Sequence, residues 1–252
     1  MAMLTTQAVR PIVALVVLMI ASLSAAFAQI DAKNWGKNTS GLTLLFYEGP
    51  RQKSAQGTIL MYNLIGKGFP ADVAFTLWQW KLDSEPKSVM QGVSFDQRGI
   101  LVCSGRPGFC KGDGLNDPIN IKATAALGEP KRMAVVSSDG KIAGFAEAVP
   151  FPIEASDHNC KLSVVRMDSL ASAVTVRVIG FAPNQRLTIT IRSGTEEAST
   201  DKTVDSQGNW SGVVSVPLSG PTKAAITVSP VIGQGCKLTV SFDAGAESNH
   251  PQ

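Results

Sequence analysis

Apolar residues in this chain come in short stretches, alternating with polar or small ones, and no long helical period is visible. Such alternation predicts half-buried β-strands. In the N-terminal half they are expected near residues 42–47, 58–65, 73–80, 99–103, 119–125, 133–137 and 142–148. In the C-terminal half they fall near 161–166, 174–179, 187–192, 202–204, 210–216, 224–228 and 237–242. Turn signals separate them, among them Glu48-Gly49-Pro50, Asp139-Gly140, Ser206-Gln207-Gly208 and Ser219-Gly220-Pro221. One pattern is written twice. Gly68-Phe69-Pro70-Ala71-Asp72 opens a run in which Phe75 and Leu77 are the apolar members, and Gly180-Phe181-Ala182-Pro183-Asn184 opens another with Leu187 and Ile189. Each is followed by an Asp-x-x-Gly turn, Asp96 to Gly99 and Asp205 to Gly208, and a fresh apolar strand.

A repeat this long is a whole domain written twice, with about seven short strands per copy, which predicts an all-β protein of two tandem sandwiches. Pro150-Phe151-Pro152-Ile153 cannot continue a central strand, and the polar run from Glu154 to Asn159 follows it. The expected division is therefore 29–153 and 154–252, end to end across a short linker that limits their relative angles. Inside the second copy, Cys160-Lys161-Leu162-Ser163-Val164 echoes Cys236-Lys237-Leu238-Thr239-Val240. One cysteine opens the first strand of that domain and the other opens its last.

Residues 1–28 read as a cleaved signal peptide: Arg10, an apolar stretch from Pro11 to Leu23, then Ala26-Phe27-Ala28 before Gln29. The expected location is secreted or periplasmic, with no membrane span after cleavage. Removing the leader takes one Arg from 23 Lys+Arg against 20 Asp+Glu, and no basic block stands out, so a nucleic-acid partner is not expected. The four cysteines, Cys103, Cys110, Cys160 and Cys236, read as two disulfides in an exported chain. Three connectivities exist, and the domain reading favours Cys103–Cys110 and Cys160–Cys236. Loop-closure entropy then assigns about 2.5 kcal/mol to the small ring and about 4.5 kcal/mol to the large one. Zinc would need more than His158 and His250 beside the cysteines, so no metal or other cofactor is expected. Asp113-Gly114-Leu115-Asn116-Asp117 gathers oxygen donors, but its spacing misses the EF-hand pattern.

Gly66, Gly68, Phe69, Pro70 and Ala71, an alternating strand and then Asp-x-x-Gly resemble the immunoglobulin-like modules of secreted bacterial proteins, of IPT/TIG or neocarzinostatin-like type. The resemblance covers both halves. It implies immunoglobulin-like sandwiches, in a group whose members act as spacers, adhesive modules, glycan-binding accessories or small-ligand carriers. The segment from Cys103 to Cys110 resembles the small disulfide loops of neocarzinostatin-like proteins, but the full cysteine pattern is missing and no ligand pocket is carried over.

Laying the repeats on each other matches Phe75 with Leu187 and Leu77 with Ile189. Trp78 then falls on Thr190, and Trp80 on Arg192. The two tryptophans therefore share the face that the second copy makes polar. Three readings stand side by side: a platform for a glycan ring, a contact with a protein partner or the neighbouring domain, and ordinary core covered by the segment holding Trp35 and residues 42–47. Arg106 and Phe109 at the tip of the Cys103–Cys110 loop form a second candidate contact. No Gly-rich phosphate loop, Gly-x-Ser-x-Gly or His-Glu-x-x-His is present, and both histidines lie in a linker or a tail, so no enzyme is expected. The function expected is an exported non-catalytic binding or adhesion module; the alternative is a structural envelope or matrix spacer.

Overall fold

The computed structural model describes residues 36–54, 57–103, 117–123, 125–233 and 235–246. Among them every regular element is a strand. The N-terminal half holds β1 (Thr43–Glu48), β2 (Gln52–Ser54), β3 (Gly57–Ile59), β4 (Met61–Lys67), β5 (Phe75–Trp80), β6 (Lys87–Phe95), β7 (Leu101–Cys103), β8 (Ile121–Lys122), β9 (Lys131–Ser137) and β10 (Ala143–Ala148). The C-terminal half holds β11 (Ile153–Asp157), β12 (Cys160–Arg166), β13 (Ala173–Ile179), β14 (Arg186–Ser193), β15 (Glu196–Thr203), β16 (Trp210–Ser215), β17 (Thr222–Pro230) and β18 (Leu238–Ala244).

Pairing is antiparallel throughout these sheets. The first half has sheets ordered β1-β4-β8 and β10-β9-β5-β6-β7, with β2 and β3 as a small hairpin; the second has β11-β12-β13-β16 and β15-β14-β17-β18. The two halves follow one path. A pair, β1-β4 or β12-β13, lies in one sheet; the chain then crosses to β5-β6 or β14-β15 and later returns to that second sheet with β9-β10 or β17-β18. β16 pairs with β13, whereas β7 pairs with β6, yet Ile100 just before β7 bridges Ile65 of β4. Each half has its own core, one around Leu64, Phe75, Leu77 and Val135, the other around Leu162, Val176, Ile189 and Ile226.

The doubled motif lies at the same place in both paths. The Gly-Phe segment joins β4 to β5 and β13 to β14, and the Asp-x-x-Gly turn joins β6 to β7 and β15 to β16. Asp96 Oδ1 accepts the N–H groups of Arg98 and Ile100, and Asp205 Oδ1 those of Gln207 and Asn209. Gly99 and Gly208 both have φ near +80° and press on backbone: a Cβ would stand 2.3 Å from the Gly66 carbonyl oxygen and 2.0 Å from that of Phe181.

Where alternation is clean, structure and expectation agree, as in β12, β13, β14 and β18. Elsewhere the structure adds or moves strands. β6 has no counterpart among the expected strands. Register shifts against β5, between Phe75 and Thr76 and between Leu77 and Trp78, break its period of two. β11 occupies the stretch read as a polar linker. It is an edge strand paired only with β12, so Pro152 just ahead of it removes no ladder bond, while Ile153 enters the second core. β15 runs well before residue 202 because an edge strand tolerates charge on both parities. The strand expected at 119–125 contracts to the two residues of β8.

The halves meet at a buried cation. Arg166, 4% exposed at the end of β12, donates from Nε to the Leu127 carbonyl at 2.9 Å, and from its terminal nitrogens to the carbonyls of Asp243 at 2.8 Å and Ser169 at 3.4 Å. Its backbone N–H reaches the Gly128 carbonyl at 2.8 Å, and the Ser169 N–H donates to Asp83 across the same joint at 2.6 Å. Burial pushes the guanidinium below its ordinary pKa, and Glu129, Asp243 and Asp168 pull it back.

Two substitutions test this account. Gly208→Ala is expected to cost about 2 kcal/mol or more in denaturant unfolding, since the methyl meets a backbone carbonyl and the φ is unfavourable. Arg166→Ala leaves three carbonyl acceptors without their donor and is expected to cost about 3 kcal/mol. Small-angle scattering should then show a wider spread of end-to-end lengths than in the parent.

Candidate interaction faces

β5 pairs with β9 so that Trp78 stands opposite Ala134 and Trp80 opposite Arg132, while β10 sets Phe145 opposite Ala134. These residues lie on the side of the sheet away from Phe75 and Leu77, as the alternation requires. Trp80, Ala134, Val136 and Phe145 form a separate buried cluster, with Trp78 and Ala143 packed against it. The Trp80 and Phe145 rings are 6.2 Å apart. Trp80 keeps only 6% exposure, so it does not lie on an open surface, and Trp78 is half-buried. The indole N–H of Trp78 is buried with no hydrogen-bond partner among the described residues. Residues 43–47 lie in β1 of the other sheet, with Leu44 in the main core, while Asn38 and Thr39 of the same segment accept the N–H groups of Phe145 and Ala143 beside the cluster. Trp35 lies outside the described residues.

Arg106, Phe109 and Cys110 also lie outside the described residues, as does the oxygen-rich run except Asp117. Cys103 ends β7, is buried and is disulfide-bonded. Cys160 and Cys236 are joined, with Cα atoms 6.3 Å apart and 76 positions between them in sequence. That disulfide ties the start of β12 to the connection before β18, as the internal echo suggested.

A face that the sequence reading did not single out is open. On β1, Leu45 is 59% and Tyr47 60% exposed. Register places Ile65 of β4 directly opposite Leu45, and Ile65 in turn bridges Ile100. Met61 lies on the same parity of β4, diagonal to Tyr47. Leu45, Ile65 and Ile100 thus form an apolar patch on the outer face of β1-β4, with Tyr47 beside it and Asn63 between Ile65 and Met61 along β4; exposed apolar patches often mark contact surfaces. Exposed Lys67, opposite Thr43, and exposed Lys122, opposite Met61, stand at its two ends. In the middle, Asn63 donates to the Ile119 carbonyl at 3.1 Å and to Asn120 at 3.2 Å. The signal for this face was present: Leu44-Leu45-Phe46-Tyr47 is apolar on both parities, so one of its two faces had to be outside the main core or covered by something else.

In the second half, the outer face of β15-β14-β17-β18, the counterpart of the sheet that carries the tryptophans, is polar and satisfied within itself. Thr190 and Ser199 hydroxyls lie 3.0 Å apart, Thr227 and Thr239 2.9 Å apart, and Thr188 donates to Asp201 at 2.9 Å. At the end of that half away from the joint, an open groove of about 660 Å³ is lined by Asp157, His158, Ser229, Pro230, Cys236 and Lys237, among others. His158 Nδ1 is 2.6 Å from Asp157 Oδ1, but the imidazole is 89% exposed at a hairpin turn. A general base acts only when held within hydrogen-bond reach of its proton. No group of three or more metal-ligating side chains occurs among the described residues.

No family model matches this chain, and no curated protein matches it. Among solved structures it is similar to a tetra-tandem repeat in the extending region of a large adhesion protein, with 14% identity over 81% of this chain and 48% of that one, at a TM-score of 0.25. It is also similar to the secreted serine protease VesC from Vibrio cholerae, with 8% identity over 76% of this chain and 44% of that one, at a TM-score of 0.24. The chain spans just under half the length of these structures.

The burial of Trp80 makes it energetically a core residue. Trp80→Ala is expected to lower unfolding stability by about 3–5 kcal/mol, well above the loss for Trp78→Ala, as measured by chemical denaturation. Equal and small losses would mean the cluster is only loosely packed.

Proposed function

We propose that this chain is an exported, non-catalytic binding module built from two tandem immunoglobulin-like sandwiches, about 29–153 and 154–252, behind a cleaved signal peptide. Support for the fold comes from the shared strand path of the two halves and from the doubled turn at one place in each. Support for export comes from the Cys160–Cys236 disulfide, since such bonds persist in oxidising compartments such as a periplasm or the extracellular space. The non-catalytic reading rests on the Asp157–His158 pair, the acid–imidazole contact among the described residues, which stands exposed with no hydrogen bond holding the ring toward Ser229.

The observation that carries the binding role is the pair of exposed residues Leu45 and Tyr47 beside half-buried Ile65 and Ile100. A partner that fully covers an exposed apolar side chain gains about 1.5–3 kcal/mol from it, and less from a side chain already half-buried. The contact surface is therefore this face. A second reading, a rigid spacer, is favoured by one observation, the buried Arg166 joint.

The Leu45→Ser, Tyr47→Ser double variant separates the two. Both side chains are exposed, so stability should change by less than about 1 kcal/mol. Retention of the purified protein on cell-envelope fractions should fall at least tenfold. Unchanged retention would remove the face from the function and leave the spacer reading.

A further inference from the structure

From the charges at the ends of the strip we infer that its partner is a short extended peptide segment, apolar at alternate positions and carrying a carboxylate at each end. This rests on the reading of the β1-β4-β8 outer face as the contact surface. Three observations select that occupant. The first is size. The seven residues of β4 at about 3.3 Å per step span about 20 Å, and β1 and β4, about 4.8 Å apart with β8 joining only at the Met61 end, make the face about 10 Å wide. Covering it falls well short of the roughly 1,200 Å² that two globular surfaces bury in a stable complex, so the strip suits one segment rather than a whole domain.

The second observation is charge. Lys67 and Lys122 sit at opposite ends of the strip, about 20 Å apart along β4 by strand spacing, and neither is in an ion pair among the described residues. The nearby Arg51 and Arg98 are already engaged by Glu48 and Asp96. A second copy of this chain would bring lysines toward lysines, which disfavours self-association and selects a partner with acids at the ends. The third is the chemistry between the lysines. Leu45, Ile65, Ile100 and Met61 are aliphatic, Tyr47 is the one exposed ring on the strip, and the one polar side chain between them, Asn63, is engaged by Ile119 and Asn120, so the surface suits alternate Val or Leu side chains rather than a row of sugar rings. An extended segment of about seven residues places its first and last side chains about 20 Å apart on one face, matching the lysine spacing.

The probe is a synthetic seven-residue peptide with Glu at both ends and Val or Leu alternating with Thr between them. Its control has Lys at both ends. Titration into the full mature protein, followed by Tyr47 chemical shifts and calorimetry, should give binding of the Glu-ended peptide at least tenfold tighter than the control. That preference should vanish in Lys67→Glu, Lys122→Glu and weaken with added salt. Equal binding of both peptides, abolished by Leu45→Ser, Tyr47→Ser, would overturn the charge inference and leave the contact face standing. Binding that survives the Leu45→Ser, Tyr47→Ser change would overturn the face itself. Absence of binding by either peptide, or lysine-dependent binding only to vesicles of phosphatidylcholine and phosphatidylserine in equal parts, would overturn the peptide partner.

Discussion

Each half of this protein closes where one turn is pressed against another stretch of backbone. The Gly99 carbonyl accepts the Gly66 N–H at 2.8 Å, and the Gly208 carbonyl accepts the Phe181 N–H at 3.2 Å. In both places the contact is so close that a side chain carbon would overlap the opposing carbonyl oxygen. The aspartate that begins each turn holds it from inside. For Asp96, burial works against the charged form, but hydrogen bonds from the Ile100 N–H and from Arg98 outweigh it and keep the carboxyl below its ordinary pKa. The turn sets where the returning strand β7 or β16 enters.

The halves differ most at the outer surface of the sheets that hold β5 and β14. In the second half, threonines, serines and ion pairs bond across β15-β14-β17-β18 and face water at little cost, while Val213 is exposed on the other sheet. In the first half both sheets carry apolar residues on the outer parity. One set, around Trp80 and Phe145, is covered; the other, around Leu45 and Tyr47, is not. The first half buries Trp80 and half-buries Trp78 on one sheet and leaves Leu45 and Tyr47 exposed on the other. The Arg166 joint then fixes how that sheet is carried relative to the second half, because a guanidinium holding carbonyls on both sides permits little change of angle.

Much of this was legible along the chain. The alternation in Leu187-Thr188-Ile189-Thr190-Ile191 dictates a strand with one wet face, since neighbouring side chains must point to opposite sides. The doubled Gly-Phe and Asp-x-x-Gly segments marked equivalent connections, because a turn that needs a positive φ and an aspartate cap writes its own residues. The pairing of Cys160 with Cys236 was likewise readable from the two matching segments that follow them. β6 and β11 were not, because bulges against β5 hide the period of the one and edge position removes the constraint on the other.

The sequence by itself therefore determined parity: Trp78 with Trp80 on one side of β5, Leu45 with Tyr47 on one side of β1. Parity follows from the geometry of a single strand. Whether each of those sides is dry or wet was decided by tertiary structure alone. Burial depends on what lies some 10 Å away across the sheet face, supplied by residues far off in the chain, and no local pattern encodes it. The Arg166 joint belongs to the same class, since its acceptors at Leu127 and Asp243 meet only after both halves have folded.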